Sequence, residues 1–344
     1  MHPTPVTLNI RLHPVLILGL LSIIVSPRAA DAEPNPFELA KSHFAPLPDH
    51  FGTADAPVTA ERVALGRRLF FDKSLSVDGS VSCETCHLPG LHATDGRSKA
   101  VGVENRPNPR NAPTLLNAAP QFRVHWDGAR ESVEEQATRS LIGPATFGNK
   151  DYPAVIAKLK TLGYEKQFQS AFKGQTDPIT PENWGKAIGS FERTLVSPAP
   201  FDAYLKGNLS ALDDRALRGL VTFVEIGCSN CHQGTLLGGT QFQKFGLFGD
   251  YASLTGSKEP DEGRFKITQD PGDRFVFKVP PLRNVAMTPP YFHDGSVEDL
   301  PSAIRIMGKL QLNRTLSEEE IRNIQSFLES LTGTIPEQFK APPS

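Results

Sequence analysis

The chain has 344 residues, of which 39% are hydrophobic and 22% charged, and its formal net charge is −2. This is the balance of a globular protein with room for two domains of ordinary size. So small a charge excludes a bulk electrostatic attraction to nucleic acid or to an anionic membrane. The 30 prolines and 28 glycines predict helices joined by long irregular loops.

The N-terminus has the pattern of a secretory signal. Arg11 and His13 precede an apolar run at 15–25, and the Ala-Asp-Ala of residues 30–32 offers small side chains to a signal peptidase. A signal peptide at 1–32 predicts a mature protein in the periplasm. An uncleaved anchor is the alternative, but the run is short for a transmembrane helix of ~20 residues. No integral membrane segment is predicted after cleavage.

Helical periodicity dominates the rest of the chain. Helices are predicted at 59–71, 131–141, 151–162, 181–195, 213–226, 297–307 and 317–331. Two stretches, 88–125 and 233–290, are rich in loop residues and predict long irregular connections. The fold class is therefore predicted to be all-α with long loops.

The Ser-Pro-Ala-Pro run at 197–200 is the candidate linker between two domains. The helices at 59–71 and 213–226 each lead into a cysteine pair, so the architecture repeats once. This organisation predicts domains at 33–197 and 198–344. The C-terminal tail is free to pack back on the first domain.

All four cysteines of the chain fall into two copies of a Cys-x-x-Cys-His pattern. The members are Cys83, Cys86 and His87 in the first copy, and Cys228, Cys231 and His232 in the second. This pattern attaches c-type haem, because two thiols at this spacing can reach the two vinyl groups of one porphyrin. The histidine that follows lies under the iron and supplies its fifth ligand. The sequence therefore predicts two covalently bound haems c.

Three other uses of four cysteines compete with haem. Disulfides suit an exported protein, and zinc would need the two pairs to converge across about 140 residues, far more than a zinc ribbon spans. A thioredoxin-like motif would need a βαβ context and would not explain the repeated histidine. For a sixth iron ligand, the mature chain offers Met287 and Met307, whose commoner role is core packing.

With these motifs in place, the chain resembles the bacterial di-haem cytochrome c peroxidase family, which includes the MauG-type protein-modifying enzymes. The resemblance covers residues 60–335. It rests on the two haem motifs and on four further segments: Arg-Asn-Ala-Pro-Thr at 110–114, Trp-Asp-Gly at 126–128, Pro-Pro-Leu-Arg-Asn-Val at 280–285 running on to 290–296, and Ile-Met-Gly at 306–308.

The resemblance implies two cytochrome c-like domains with different duties. The N-terminal haem reacts with hydrogen peroxide, and the C-terminal haem accepts electrons from a small cytochrome c or cupredoxin. Met307 matches the axial ligand of the C-terminal haem, where MauG-type members have a tyrosine. Trp126 matches an electron-relay position between the haems, for which interdomain packing is the plainer role. Asn111, Thr288 and Pro290 match ligands of an interdomain calcium ion. Many members are homodimers.

Two positions depart from the family pattern. Val103 stands where resting peroxidases often have a histidine that blocks the N-terminal iron; His92 could substitute only if the loop folds differently. Thr146 stands where the family has the distal acid, and threonine is a poor acid. Gln136 matches the neighbouring distal glutamine. Glu134, Glu135 and His125 are the candidates for the missing proton transfer.

The sequence thus predicts a periplasmic di-haem peroxidase in which Trp126, Gln136 and Thr146 occupy the catalytic positions. A MauG-type oxidase that modifies a partner protein is the second hypothesis, which the missing acid favours and Met307 disfavours. A non-enzymatic di-haem electron carrier is the third, and it predicts two closed haems that ignore peroxide.

Overall fold

The computed structural model describes residues 1–5, 7 and 35–340. The predicted signal sequence and its cleavage site lie outside the described residues, apart from the first few. The described residues 35–340 belong to one compact unit. Among the described residues, no helix is both long and apolar enough to cross a bilayer.

The described chain is rich in helix and has little sheet, as predicted. Its helices are α1 Pro36–His43, α2 Ala60–Phe71, α3 Val133–Ser140, α4 Tyr152–Thr161, α5 Glu165–Ala171, α6 Pro181–Glu192, α7 Pro200–Leu205, α8 Asp214–Glu225, α9 Tyr251–Thr255, α10 Phe265–Thr268, α11 Leu300–Leu312, α12 Glu318–Glu329 and α13 Glu337–Lys340. Strands β1 Phe242–Lys244 and β2 Val276–Lys278 pair antiparallel, with Phe242 opposite Lys278.

The main helices begin at polar caps that the sequence makes visible. Thr59 accepts a hydrogen bond from Arg62 N at the start of α2, and Asp213 accepts one from Ala216 N at the start of α8. Ser317 forms a capping box with Glu320 at the start of α12. These caps satisfy backbone N–H groups that have no partner within the helix.

One predicted helix boundary was wrong. The helix predicted at 297–307 begins at Leu300, after the Asp299 cap, and continues through Gly308 to Leu312. The predicted helix stopped before Gly308, but a Cβ at this position would lie 2.8 Å from the Leu316 side chain. Close packing therefore requires glycine inside this helix and overrides its low helix propensity.

Two hydrophobic cores organise the unit. The first packs α2 and α6 around Phe70 and Phe191, and Phe339 from α13 joins it at 5.7 Å from Phe70 between ring centroids. The second packs α8 and α12 around Phe223 and Phe327, whose centroids are 5.3 Å apart. Each core thus contains the helix that leads into one cysteine pair.

The same kind of glycine contact occurs in both cores. A Cβ on Gly66 of α2 would lie 1.9 Å from the Ala187 carbonyl oxygen of α6, and one on Gly219 of α8 would lie 1.9 Å from the Asn323 carbonyl oxygen of α12. Both helix pairs therefore approach so closely that backbone meets backbone. Only glycine permits this approach.

Replacing Gly219 with alanine is expected to destabilise the protein by at least 1–3 kcal/mol, because the added methyl group must push α8 away from α12. Gly90→Ala is the matched control, since a Cβ at that position meets nothing within 4 Å. Chemical denaturation of both variants measures the difference. Equal stability of the two variants would contradict the close crossing.

Candidate haem sites

The two cysteine motifs fold in the same way. Each begins as a short 3₁₀ turn, at Cys83–Thr85 and at Cys228–Asn230. The histidine backbone N–H then bonds the carbonyl of the first cysteine, at 3.1 Å for His87 and 3.0 Å for His232. The same backbone bond therefore closes the turn from the first cysteine to the histidine in both motifs.

Both histidine rings are fixed by backbone carbonyls. His87 Nδ1 lies 3.0 Å from the Ala93 oxygen, and His232 Nδ1 lies 3.2 Å from the Leu237 oxygen. Nδ1 therefore carries the proton and Nε2 presents its lone pair, as iron ligation requires. Burial lowers the pKa of both rings, that of His232 to about 4, so both are neutral near pH 7.

The cysteines fit haem better than their alternatives. The four thiols are unpaired and partly buried, so neither pair forms a disulfide. Burial raises the pKa of Cys86 to about 11 and that of Cys228 to about 12, whereas a redox-active pair needs a lowered pKa. Within the described ranges, no three His, Cys, Asp or Glu side chains converge on a metal position, which excludes a four-cysteine zinc site.

Each motif also adjoins an apolar surface suited to a porphyrin. Cys83 packs against the first hydrophobic core, and Cys228 packs against the second. The two motifs therefore provide thiols, a neutral imidazole and apolar walls, which is the donor set that a c-type haem uses.

Trp126 lies in a loop that is held from both halves of the chain. Its indole N–H donates to the Asn111 carbonyl at 3.0 Å, and its own carbonyl accepts from Lys278 N at 2.7 Å. Next to it, Asp127 pairs with Arg110, which also bonds Asp261 at 2.6 Å. The Arg110 guanidinium in this ion network lowers the pKa of Asp261.

An aromatic cluster connects Trp126 with Met307. Its buried members are Phe245, Tyr251, Phe277 and Leu310, and both Trp126 and Met307 pack against them. His293 stacks on Phe277 with centroids 4.2 Å apart, and its ring lies 6.5 Å from that of Trp126. Met287 is 45% exposed, whereas Met307 is partly buried.

The two departures from the family pattern lie side by side. Val103 N donates to the Thr146 carbonyl at 3.2 Å, and Val103 is fully buried beside Gly148. The Thr146 hydroxyl donates to the Ser140 carbonyl at 2.5 Å and also lies 3.0 Å from the Gly143 carbonyl. The hydroxyl proton of Thr146 is therefore engaged in a hydrogen bond within a local turn.

The other distal candidates differ in their surroundings. Gln136 lies on α3, and burial lowers the pKa of the nearby His125 imidazole to about 4. Glu134 accepts from Arg193 Nε at 2.8 Å, and Glu135 accepts from Glu131 N at 2.8 Å. Both glutamates therefore have structural partners already. His92 is partly buried in a left-handed turn, and its carbonyl accepts from Thr114.

The candidate calcium ligands lie on two segments of the chain. The segment of Asn111 contacts the loop that contains His293. Asn111 N donates to the His293 carbonyl at 2.9 Å, and its side-chain amide donates to the Arg97 carbonyl. Thr288 bonds the Val285 carbonyl within its own turn, next to a cis peptide bond before Pro290. The side-chain oxygen of Asn111 has the chemistry of a calcium ligand.

Sequence reasoning missed Glu192, which is 6% exposed at the end of α6. Its surroundings raise its pKa to about 8, chiefly through burial and then through the nearby charge of Glu134. Its charge also acts on Cys83. The available signal was its position on the apolar face of α6, four residues after the buried Ile188.

Glu192→Gln is expected to make the holoprotein more stable at pH 8, by on the order of 3 kcal/mol. The wild-type unfolded chain releases this proton from about pH 4.5 upward, while the native state keeps it up to about pH 8, so wild-type stability falls across that window. The variant lacks this loss, so the two proteins should be equally stable near pH 4.

Chemical denaturation at pH 5 and pH 8 tests this prediction. Glu182→Gln is the control, because Glu182 lies on the same helix but is exposed. A Glu192→Gln variant whose advantage does not grow with pH would show that the carboxyl group ionises normally.

The fold and the paired motifs define a helix-rich protein with two haem sites, and comparisons identify its family. A family model described as di-haem cytochrome c peroxidase matches residues 60–210. The chain is 38% identical to the cytochrome c551 peroxidase of Pseudomonas aeruginosa over 94% of this chain and 93% of that protein. It is 36% identical to the methylamine utilization protein MauG of Methylorubrum extorquens over 80% of this chain and 79% of that protein.

Solved structures agree with this assignment. A crystal structure of a MauG-like protein associated with microbial copper homeostasis matches with a TM-score of 0.76 at 29% identity, over 85% of this chain and 96% of that one. The diheme peroxidase BthA from Burkholderia thailandensis shares the fold, with a TM-score of 0.66 at 19% identity over 88% and 94% of the two chains. The chain belongs to the di-haem cytochrome c peroxidase family.

Proposed function

We propose that this protein is a periplasmic peroxidase that reduces hydrogen peroxide to water with electrons from a small cytochrome c or cupredoxin. The observation that carries the proposal is the pair of matching haem sites together with the cluster that packs against both Trp126 and Met307. Relatives named cytochrome c551 peroxidase, at 38% identity, support the same activity.

In this proposal each residue has a separate task. Two haems c, when attached, supply the electron storage and the iron at which peroxide reacts. Cys83, Cys86 and His87 hold the peroxide-reacting haem, and Gln136 orients the peroxide. Trp126, whose indole N–H is held by the Asn111 carbonyl, would relay electrons from one haem to the other.

The second site is held by the second core. Cys228, Cys231 and His232 hold the haem that receives electrons from the donor. Met307 would supply a thioether ligand to this haem, and a thioether paired with an imidazole raises the reduction potential. A higher potential suits a site that stores an electron until the first site needs it.

Turnover of the purified holoprotein with peroxide and a reduced small cytochrome c tests the proposal. Oxidation of two equivalents of donor per peroxide is expected. The Trp126→Phe variant should keep the fold but lower the rate, while Trp184→Phe, in the first core, is the control for loss of an indole elsewhere. Donor oxidation that is absent in the wild type would refute the proposed activity.

A MauG-type oxidation of a partner protein is the second candidate. It is favoured by the Thr146 hydroxyl, which is bound to backbone where an acid is expected, and by the match to a MauG-like structure. It is disfavoured by Met307, which occupies the position of the MauG-type tyrosine. Peroxide-dependent oxidation of a co-purified partner, without any cytochrome donor, would select this candidate.

Three further features belong to the proposal. Export by the N-terminal signal would place the protein in the periplasm. A calcium ion held by Asn111, Thr288 and Pro290 would join two segments distant in sequence. The protein would also associate as a homodimer, as many members of the family do.

A further inference from the structure

Lys278, the last residue of β2, is a buried cation without a carboxylate partner in the described chain. Its side chain is 5% exposed, and its Nζ donates to the side-chain oxygen of Gln121 at 2.6 Å. The other two buried cations of the described residues, Arg193 and Arg283, each form an ion pair with a carboxylate. Lys278 is therefore the exception among them.

A single neutral amide does not compensate for the burial of the Lys278 ammonium group. The group has three donors, and a buried charge is costly unless an opposite charge lies beside it. Burial lowers the pKa of Lys278 to about 8, and no carboxylate of the described chain offsets this shift. Since the side chain still stays largely protonated at pH 7, we expect its counter-charge to come from a bound group.

The two-stranded sheet borders the second haem site. The side-chain amide of Gln243 on β1 lies 3.9 Å from Cys231 Sγ. Just beyond β2, a Cβ built on Gly238 would lie 2.3 Å from the Pro280 carbonyl oxygen and 3.3 Å from His232 Nδ1. The sheet and the residues that follow it therefore pack against both the cysteine and the histidine of this motif.

Within β2, the side chain of Lys278 lies on the face nearer to His232. Successive side chains of a strand point to opposite faces, and Phe277 points into the aromatic cluster described above. Lys278 reaches Gln121 on the other face, where a Cβ on Gly239 would lie 3.0 Å from Gln121 Cγ. The strand therefore separates the aromatic cluster from the loop that contacts the His232 ring.

We propose that Lys278 binds a propionate carboxylate of the second haem. This inference rests on the second haem site of the proposed function, but not on peroxidase activity. A haem carries two propionate groups, so the cofactor itself brings the anion that the buried ammonium lacks. The fixed positive charge of Lys278 opposes the additional positive charge of ferric iron and thereby raises the reduction potential of this haem.

Redox titration of the holoprotein tests the effect of this charge. Lys278→Met removes the charge and keeps an unbranched side chain, whereas Lys278→Arg keeps the charge. Lys244→Met is the matched control, because Lys244 is an exposed lysine of the same sheet. In Lys278→Met, the balance between the two oxidation states of the second haem is expected to shift about tenfold toward the ferric form. Lys278→Arg and Lys244→Met should shift it by less than about twofold.

A crystal structure of the wild-type holoprotein identifies the partner of Lys278 directly, even if a variant fails to fold. Lys278 Nζ is expected at about 2.7–3.2 Å from a propionate oxygen of the haem attached to Cys228 and Cys231. A chloride, a phosphate or another free anion beside Nζ in place of the propionate would overturn the inference. An unchanged midpoint potential of the second haem in folded, haem-loaded Lys278→Met would overturn it as well.

The outcomes separate this inference from the proposed function. Neither of the two contradicting results would affect the proposed reduction of peroxide. A wild-type protein in which Lys278 binds the propionate, but which oxidises no donor with peroxide, would refute the peroxidase proposal and support the role of Lys278. Absence of a haem at Cys228 and Cys231, measured by the mass of the protein, would refute the second haem site and this inference together.

Discussion

His87→Gly is expected to lower peroxide turnover by at least about 100-fold, since even residues behind a metal ligand cost 10–100-fold when removed. In our account this imidazole holds the iron that reacts with peroxide, and the Ala93 carbonyl fixes its orientation at 3.0 Å. The second site should remain intact, because His232 belongs to the other hydrophobic core. Steady-state assays with peroxide and reduced cytochrome c measure the loss.

The His232→Gly variant provides the comparison. Its second site should no longer take up electrons from the donor, while a chemical reductant should still support some peroxide reduction at the first site. If His87→Gly retained turnover and His232→Gly abolished the reaction with peroxide, the duties of the two sites would be reversed.

Arg283→Met is expected to destabilise the protein by about 3–5 kcal/mol, because it leaves the buried carboxylate of Asp202 without its counter-charge. The Arg283 side chain is fully buried, and its Nη1 lies 2.5 Å from Asp202 Oδ2. Its Nε also bonds the Thr235 carbonyl, just after the second cysteine motif. The unfolding free energy, measured in denaturant, gives the size of the effect.

Two further variants make this prediction specific. Arg305→Met removes a cation from an exposed pair with Glu318, and its effect should stay below about 1 kcal/mol. Adding Asp202→Asn to Arg283→Met should recover part of the stability, because the unpaired charge is gone while the amide oxygen still accepts the Leu47 N–H. Equal losses in Arg283→Met and Arg305→Met would contradict the buried pair.

Local features of the sequence predicted much of the fold. The caps Thr59, Asp213 and Ser317 and the periodicity behind them located α2, α8 and α12 to within a few residues. The two cysteine motifs could also be recognised in the sequence, because each set of haem-attaching residues lies within five consecutive positions. Short helices such as α5 and α10 were missed, since their few residues do not complete a recognisable period.

The parts that depend on distant contacts could not be predicted. Arg110 bonds Asp261 across 151 positions of sequence, and no local pattern marks Asp261 as its partner. The rings around His293 belong to Phe245, Tyr251 and Phe277, which lie far from it in the sequence. The glycine inside α11, Gly308, is explained by the close Leu316 side chain. Tertiary packing determines these long-range contacts, and the helical periodicity of the sequence does not reveal them.

The choice among the distal candidates also needed the structure. The sequence leaves Glu134, Glu135 and His125 all open as candidates for the missing proton transfer. The structure gives both glutamates cationic or backbone partners, whereas His125 is partly buried in a loop where its backbone is left-handed. The contacts of these side chains therefore separate candidates that the sequence leaves open.

The central claim is that the two haem sites have different duties, with peroxide reacting at the N-terminal one. Low-temperature EPR of the oxidised holoprotein, before and after one equivalent of hydrogen peroxide, tests it most directly. Our account predicts a high-spin ferric signal from one haem that peroxide removes and that is missing in His87→Gly, together with a low-spin signal that depends on Met307. Two low-spin signals that peroxide leaves unchanged, even after one-electron reduction, would contradict the account and favour a di-haem electron carrier.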